Sequence, residues 1–111
     1  MSVNTIQELS AEERNKSYQI LFKTLSSKNR QKILHKLKEE KCCVSTLSEE
    51  LGIEQTQCSH DLKRLRRCGL VEREKQGRYR YYSIKDDAIQ LLEDIDEHVS
   101  KNCIHILRGE R

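Results

Sequence analysis

Apolar side chains recur every three or four positions over most of this chain and give way to a two-residue alternation only between Leu70 and Ile84. Ser10 with Glu13 three residues on is a capping-box pattern, and behind it Tyr18, Leu21, Phe22 and Leu25 repeat as one helical face. Ser26 and Ser27 interrupt that face and can cap a second helix to about Glu39. Its stripe of Ile33, Leu34 and Leu37 is narrow, and Lys28, Arg30, Lys32, Lys36 and Lys38 are expected to be exposed beside it. After the polar run KEEK, the residues Cys42, Cys43 and Val44 read as a short connection. Ser45 is expected to cap a third helix carrying Leu47 and Leu51, which ends where Gly52 permits a left-handed turn. A fourth helix runs from near Gln55 to Gly69. Leu70 and Val71 then start a strand, Gln76 and Gly77 supply turn residues, and Arg78 to Ile84 forms a second strand. From Asp86 or Asp87 a last helix is expected to continue to about Leu107, with Ala88, Leu92, Ile95, Val99, Cys103 and Ile106 on one stripe. The first ten residues are expected to fray, and there is no internal repeat, no low-complexity segment and no proline.

The order of these elements predicts a mainly α fold with a small β-hairpin. It is a winged helix-turn-helix of about five helices plus a two-stranded wing, one domain over 1–111, with the helix-turn-helix at 45–68, the wing at 70–84 and a C-terminal dimerisation helix at 86–107. A helix placed like the fourth one can enter the major groove of duplex DNA. Its stripe of Cys58, Leu62 and Leu65 faces the core, while Gln55, Thr56, Ser59, His60, Lys63 and Arg67 fall on the opposite face. Gln and Ser near its start can read base edges, and Lys63, Arg64, Arg66 and Arg67 can hold phosphates. Arg73, Lys75, Arg78 and Arg80 decorate the hairpin, within reach of a minor groove or flanking phosphates. A lone basic helix is usually just a solvated face, but this one follows a turn glycine and precedes a basic hairpin. Of the wing tyrosines, Tyr81 or Tyr82 is expected to pack the strand onto the helices rather than stack on bases.

Composition sharpens this picture. With 111 residues, 35% hydrophobic and 35% charged, the chain has little apolar material for a monomeric core, so a homodimer that buries the faces of its terminal helices is expected. The net charge of +3 is unevenly spread: His60 to Arg80 holds eight Lys or Arg against three acids, and Asp86 to Glu97 holds six acids and no base. No apolar run approaches a membrane span and no signal-peptide core follows Met1, which places the protein in the cytoplasm without a membrane partner. Five cysteines there read as free thiols, core packing or metal ligands before disulfides. No constellation of nucleophile, base and orienting group is present and only four glycines occur, so an enzyme is not expected.

From Leu25 to Ile84 the segments LSSKNRQKILHKL, TLSEELGI, SHDLKRLRRCGLVE and GRYRYYSI resemble, in order, those of the ArsR/SmtB family of bacterial and archaeal winged helix-turn-helix repressors. The resemblance implies a homodimeric transcriptional repressor on a palindromic double-stranded operator, released by a metal, metalloid or thiol-reactive signal. It carries the DNA role onto Ser59, His60, Lys63 and Arg78. It also implies three candidate signal sites. Cys43 matches the first cysteine of the family's arsenic sensors, with Ser45 where the second would stand and Cys42 adjacent. Asp86 matches the first acid of the zinc sensors, but Ala88, Val99 and Asn102 replace the other ligands. Cys68 matches a helix position of a third sensor type, where Arg64 replaces the second cysteine and Cys103 with His105 supplies a C-x-H pair.

Independently of the family, Asp94, His98, Asn102 and His105 recur at spacings of four, four and three, and Asp94 with His98 has the i, i+4 spacing of a shared metal site completed across a dimer. A soft or borderline ion (zinc, cadmium, lead, copper(I) or arsenite) is the expected cofactor, and the sulfur and imidazole donors Cys68, Cys103 and His105 suit zinc, cadmium, lead or copper(I). Metal-free thiol sensing through Cys103 stays open, as does a winged-helix protein-interaction module with no operator of its own.

Overall fold

In the computed structural model, which describes residues 7–111, the first helix α1 (Ala11–Leu25) starts at the capping box. Ser10 Oγ accepts the Glu13 N–H at 3.1 Å and Glu13 Oε1 accepts the Ser10 N–H at 3.0 Å, so two otherwise unpaired helix donors are satisfied. Of the segment expected to fray, residues 7–10 are exposed and non-helical, and 1–6 lie outside the described residues. The apolar face expected on α1 is split. Leu21 and Leu25 pack on the core, whereas Tyr18 and Phe22 are exposed with ring centroids 5.7 Å apart. Ser27 caps α2 (Lys28–Glu39), accepting the Arg30 N–H at 3.2 Å.

The connection expected at Cys42 is a strand. β1 (Cys42–Cys43) pairs antiparallel with β3 (Tyr79–Ile84), Cys42 opposite Tyr82 and Cys43 opposite Tyr81, and β2 (Val71–Gln76) pairs with the other edge of β3. The wing is therefore the outer part of a three-stranded sheet ordered β1-β3-β2, not a free two-stranded hairpin. An isolated hairpin is marginal in water, and the third strand also covers an edge of β3 that would otherwise stay unpaired. The same pairing moves the next helix start. α3 (Val44–Leu51) follows β1 directly with Cys43 at its N-cap, so Ser45, expected as the cap, lies inside the first turn.

Gly52 ends α3 with φ +67°, and Ser48 Oγ donates to the Ile53 carbonyl at 2.5 Å across the turn. Glu54 caps α4 (Gln55–Arg67), accepting the Gln57 N–H at 2.9 Å. Hydrogen bonds from the Gln57 and Thr56 N–H groups hold its carboxyl below the usual carboxylate range. β2 and β3 are joined by the two residues Gly77 and Arg78, with φ +63° at Gly77, so β3 begins one residue later than expected and Arg78 sits at the tip. The last helix is not continuous. α5 (Asp86–His98) passes through a π turn at Val99–Cys103 into the short α6 (Ile104–Leu107). A π turn inserts an extra residue into the helical repeat and rotates every later side chain about the helix axis. Ala88 and Leu92 are buried and Ile95 half-buried, but Val99, Cys103 and Ile106 of the expected stripe are exposed.

The core gathers Ile33, Leu34 and Leu37 of α2, Leu47 of α3, Cys58, Leu62 and Leu65 of α4, and Leu70, Val71, Tyr82 and Ile84 around the sheet. Tyr82 packs the strand as expected, Tyr81 is half-buried under the Lys41 ammonium, and Tyr79 stays exposed. Two cations expected on the surface of α2 are not free there. The Arg30 side chain is 15% exposed against Asp61, and Lys36 is 18% exposed with Glu50 at 2.8 Å. Among the described residues no helix is long and apolar enough to cross a membrane. Leu62, fully buried on α4, tests this core: Leu62→Ala is expected to lower unfolding stability by about 2–5 kcal/mol in urea titrations, and a loss below about 1 kcal/mol would contradict its placement.

Candidate nucleic-acid interface

Helix α4 divides cleanly by side. Cys58, Asp61, Leu62 and Leu65 are buried, whereas Gln55, Thr56, Ser59, His60, Lys63, Arg64 and Arg67 are exposed, as their spacing predicts. Between the exposed face and the wing runs a cleft of about 540 Å³. Gln55, Ser59, Lys63 and Arg66 line it from α4, Arg73, Arg78 and Arg80 from the wing, and Cys43 with Ser45 from the start of α3. A second depression, of about 650 Å³, lies on the α1 side of the same helix and collects His60, Lys63, Arg64 and Arg67. Thr56 lines neither.

The electrostatics of this surface come from what is missing around it. Among the described residues, no cation of α4 or the wing forms an ion pair with an acid. Pairing is confined to Lys16, Arg30, Lys36, Lys38, Lys85, Lys101 and His105. Eight positive charges from Lys63 to Arg80 are thus left for an external anion. Flexible cations held at the edges of a groove-sized projection are suited to successive phosphates, and the amide and hydroxyls at the start of α4 to base edges.

Cys43 lines the cleft between α4 and the wing, and Cys68 lines the depression on the α1 side. Successive strand residues point to opposite faces, so Cys42 turns into the core while Cys43 lines the cleft, and the two do not form a dithiol pair. Cys43 Sγ lies 3.2 Å from Ser45 Oγ and 3.3 Å from Thr46 Oγ1. Hydrogen bonds from Ser45 first and Thr46 second stabilise the thiolate and lower its pKa to about 7. Burial moves the other strand and core thiols the opposite way: Cys42 is raised, and Cys58 is pushed up to about 11 with Asp61 adding to the effect.

The C-terminal candidates are spread along the helix surface. Asp94 accepts a hydrogen bond from Gln90 at 2.8 Å, Asn102 donates to the His98 carbonyl at 3.2 Å, His105 pairs with Glu110, and Cys103 is exposed. Among the described residues no three His, Cys, Asp or Glu side chains come together to hold an ion, and Cys43 has only hydroxyls beside it, which are poor donors for a soft metal. Cys68 is half-buried at the end of α4. Reading by sequence missed Asp61, an acid on the core side of a basic helix. Its place on the Cys58–Leu62–Leu65 stripe was the available signal, because a carboxylate there requires a buried partner.

Four helices ahead of a two-strand projection, with an unneutralised cationic helix between turn and wing, define a winged helix-turn-helix protein. The sequence profile of bacterial regulatory proteins of the arsR family matches residues 27–73. The arsenical resistance operon repressor of Bacillus subtilis is 30% identical over 96 residues, covering 86% of this chain and 88% of the relative. The cadmium resistance transcriptional regulatory protein CadC of Listeria innocua is 36% identical over 75 residues, covering 67% of this chain. That match spans 63% of the cadmium regulator's length. Among solved structures, the transcriptional repressor BigR from Xylella fastidiosa superposes with a TM-score of 0.65 at 28% identity, covering 85% of this chain and 91% of that one. The chain belongs to the arsR family, which is one of regulatory proteins rather than enzymes.

The thiol environment is directly measurable. Alkylation of Cys43 by iodoacetamide, followed by peptide mapping, is expected to rise with pH through a midpoint near 7, because the thiolate is the reacting form and accumulates above its pKa. Ser45→Ala is expected to move that midpoint upward, toward about 8.5; an unmoved midpoint would remove Ser45 as the cause.

Proposed function

We propose that this protein is a sequence-specific, double-stranded-DNA-binding transcriptional repressor, homodimeric on a palindromic operator in the cytoplasm, and released by a thiol-reactive or soft-metal signal. The observation that carries the DNA reading is the surface of α4 and the wing, on which no cation is paired with an acid among the described residues. Gln55, Thr56, Ser59 and His60 then face base edges, and Lys63, Arg64, Arg67, Arg78 and Arg80 face phosphates. Dimerisation is supported by apolar side chains without cover: Tyr18, Ile20 and Phe22 of α1 are 54%, 57% and 60% exposed, and Ile106 and Leu107 at the other end 63% and 81%. Two recognition helices brought together by such a dimer meet successive major grooves about 34–36 Å apart.

For the signal, the position of Cys43 favours thiol chemistry. A group added to its sulfur occupies the cleft shared by Lys63, Arg78 and Arg80, where a phosphate strand would pass. A metal is the second reading, favoured by the cadmium and arsenical names of two relatives. Among the described residues one chain does not bring three such donors together. Zinc, cadmium, lead, copper(I) or arsenite would need Cys103 and His105, or Asp94 and His98, together with donors from a second copy. Cys42, turned into the core, does not fit either reading.

Duplex-binding titrations test the assignment. Lys63→Ala and Arg78→Ala are each expected to weaken binding about equally for all sequences and to reduce the slope of log affinity against log salt by about 1. Ser59→Ala or His60→Ala is instead expected to relax preference at a single base pair by about 1–3 kcal/mol. If random-duplex selection yields no preferred sequence while the protein binds another protein tightly, the chain is an interaction module and the operator reading fails. A maleimide adduct at Cys43 is expected to lower duplex affinity and Cys43→Ser to abolish that sensitivity; sensitivity that persists in Cys43→Ser but is lost in Cys103→Ser would move the signal to the C-terminal helix.

A further inference from the structure

Asp61 is 2% exposed in the middle of the recognition helix, and its carboxylate is held by groups from two places. Gln57, one turn earlier on α4, donates to Oδ2 at 3.2 Å, and Arg30 of α2 donates through Nη1 to Oδ1 at 2.9 Å. The rest of the Arg30 guanidinium serves a different helix. Its Nε donates to the Thr24 carbonyl at 2.7 Å and its Nη2 to the Lys23 carbonyl at 3.2 Å, both in the last turn of α1, where the Lys23 carbonyl also accepts the Ser26 N–H at 3.3 Å. A second tie runs alongside: Arg64 Nε donates to Thr24 Oγ1 at 3.3 Å, and that fully buried hydroxyl donates in turn to the Ile20 carbonyl at 2.7 Å. Helix α1 packs mainly on α2 and has little other packing against α4. One guanidinium therefore fastens the end of α1 to the middle of the recognition helix.

We propose that Arg30, with Asp61 as its anchor, is a positioning residue that sets the angle between α1 and α4 and thereby the separation of the two recognition helices, so that it determines which half-site spacing the protein accepts. The inference rests on the dimeric DNA-reading proposal above. If α1 carries the dimer contact, a rotation of α4 against α1 occurs in both protomers and changes the distance between the two reading surfaces. Base contacts depend on placement to within a fraction of an ångström, whereas flexible cations can follow a phosphate strand. Loss of the clamp consequently affects spacing preference, and leaves non-specific, charge-driven binding in place. Lysine cannot replace arginine here, because a single ammonium on a flexible stem does not reproduce the planar fork that reaches three acceptors on two helices.

The test starts from the duplex that the wild-type protein selects out of a random pool. Affinities are measured by fluorescence anisotropy for that duplex, for versions with the half-sites moved by one and two base pairs, and for a scrambled duplex across a salt series. Wild type is expected to prefer its own spacing by on the order of tenfold, the worth of one good base contact. Arg30→Lys is expected to cut that preference to within about threefold, leaving scrambled-duplex affinity and the salt slope unchanged, because the phosphate contacts stay in place. The double variant Arg30→Met with Asp61→Leu removes both buried charges at once, which keeps the protein folded where a single change leaves a charge stranded; it is expected to give the same loss of spacing preference. A wild type with a clear preferred spacing that both variants retain in full overturns this inference alone. A wild type with no preferred duplex at all overturns the DNA-reading proposal and this inference together.

Discussion

Helix α4 has to satisfy opposite demands on a single cylinder. Its Cys58, Leu62 and Leu65 have no solvent exposure, and the core they belong to draws side chains from α2, α3, the sheet and α5. A fully buried leucine contributes about 1.5–3 kcal/mol relative to an exposed one. In a chain that is only 35% hydrophobic, a large share of the available core therefore sits on one helix. The opposite side of the same helix carries Lys63, Arg64 and Arg67 with no acid pairing them among the described residues. The remaining elements serve to hold such a helix still: α3 and the Gly52 turn fix its start, the sheet covers its end, and α2 lies against its middle.

The one acid on its buried side is the exception that explains the arrangement. A buried carboxylate costs several kcal/mol unless it is paired and hydrogen-bonded, and replacing such a pair by apolar groups is often neutral or stabilising. Asp61 with Arg30 and Gln57 is thus poorly explained as a source of stability. Its geometry is specific where a hydrophobic contact would be permissive: a leucine in its place could slide against α2, while a forked guanidinium with three acceptors admits one angle.

What was legible in the sequence was local. The capping box at Ser10, the Gly52 turn, the Gly77 turn and the two-sided pattern of α4 depend on neighbours within about one helical turn, and the structure places them close to where they read. Features missed at the sequence level depend on distant partners. A two-residue strand at Cys42 has no alternation to detect and exists only because β3 lies beside it. The exposure expected for Arg30 failed because its partner is 31 positions away. The π turn at Val99–Cys103 is invisible to a rule that assumes a constant helical repeat, and Val99, Cys103 and Ile106 of the stripe it extended are exposed while still lining one groove. For the site, the cations and hydroxyls of α4 were readable because a charged side chain excluded from the core announces its face. The chemistry of Cys43 was not, since it depends on the strand end that turns its sulfur away from Cys42 and toward two hydroxyls.

Where the charges sit matters more than how many there are. With a net charge of only +3, the chain has no long-range pull on a polyanion as a whole. Its acids are nearly as numerous as its bases, 18 against 21, and any of them placed within about 4 Å of the α4 cations would compete with phosphate for the same nitrogens. The fold prevents this by assigning six acids to one helix, α5, whose pairings are with Lys38 of α2, Lys85 at its own cap and Lys101 just past its end, not with α4 or the wing. The potential at the cleft is then set by the local cluster of Lys63, Arg66, Arg73, Arg78 and Arg80 and not by the molecular total. That makes the separation of two oppositely charged helices, rather than the sum of their charges, the property on which the proposed DNA role depends.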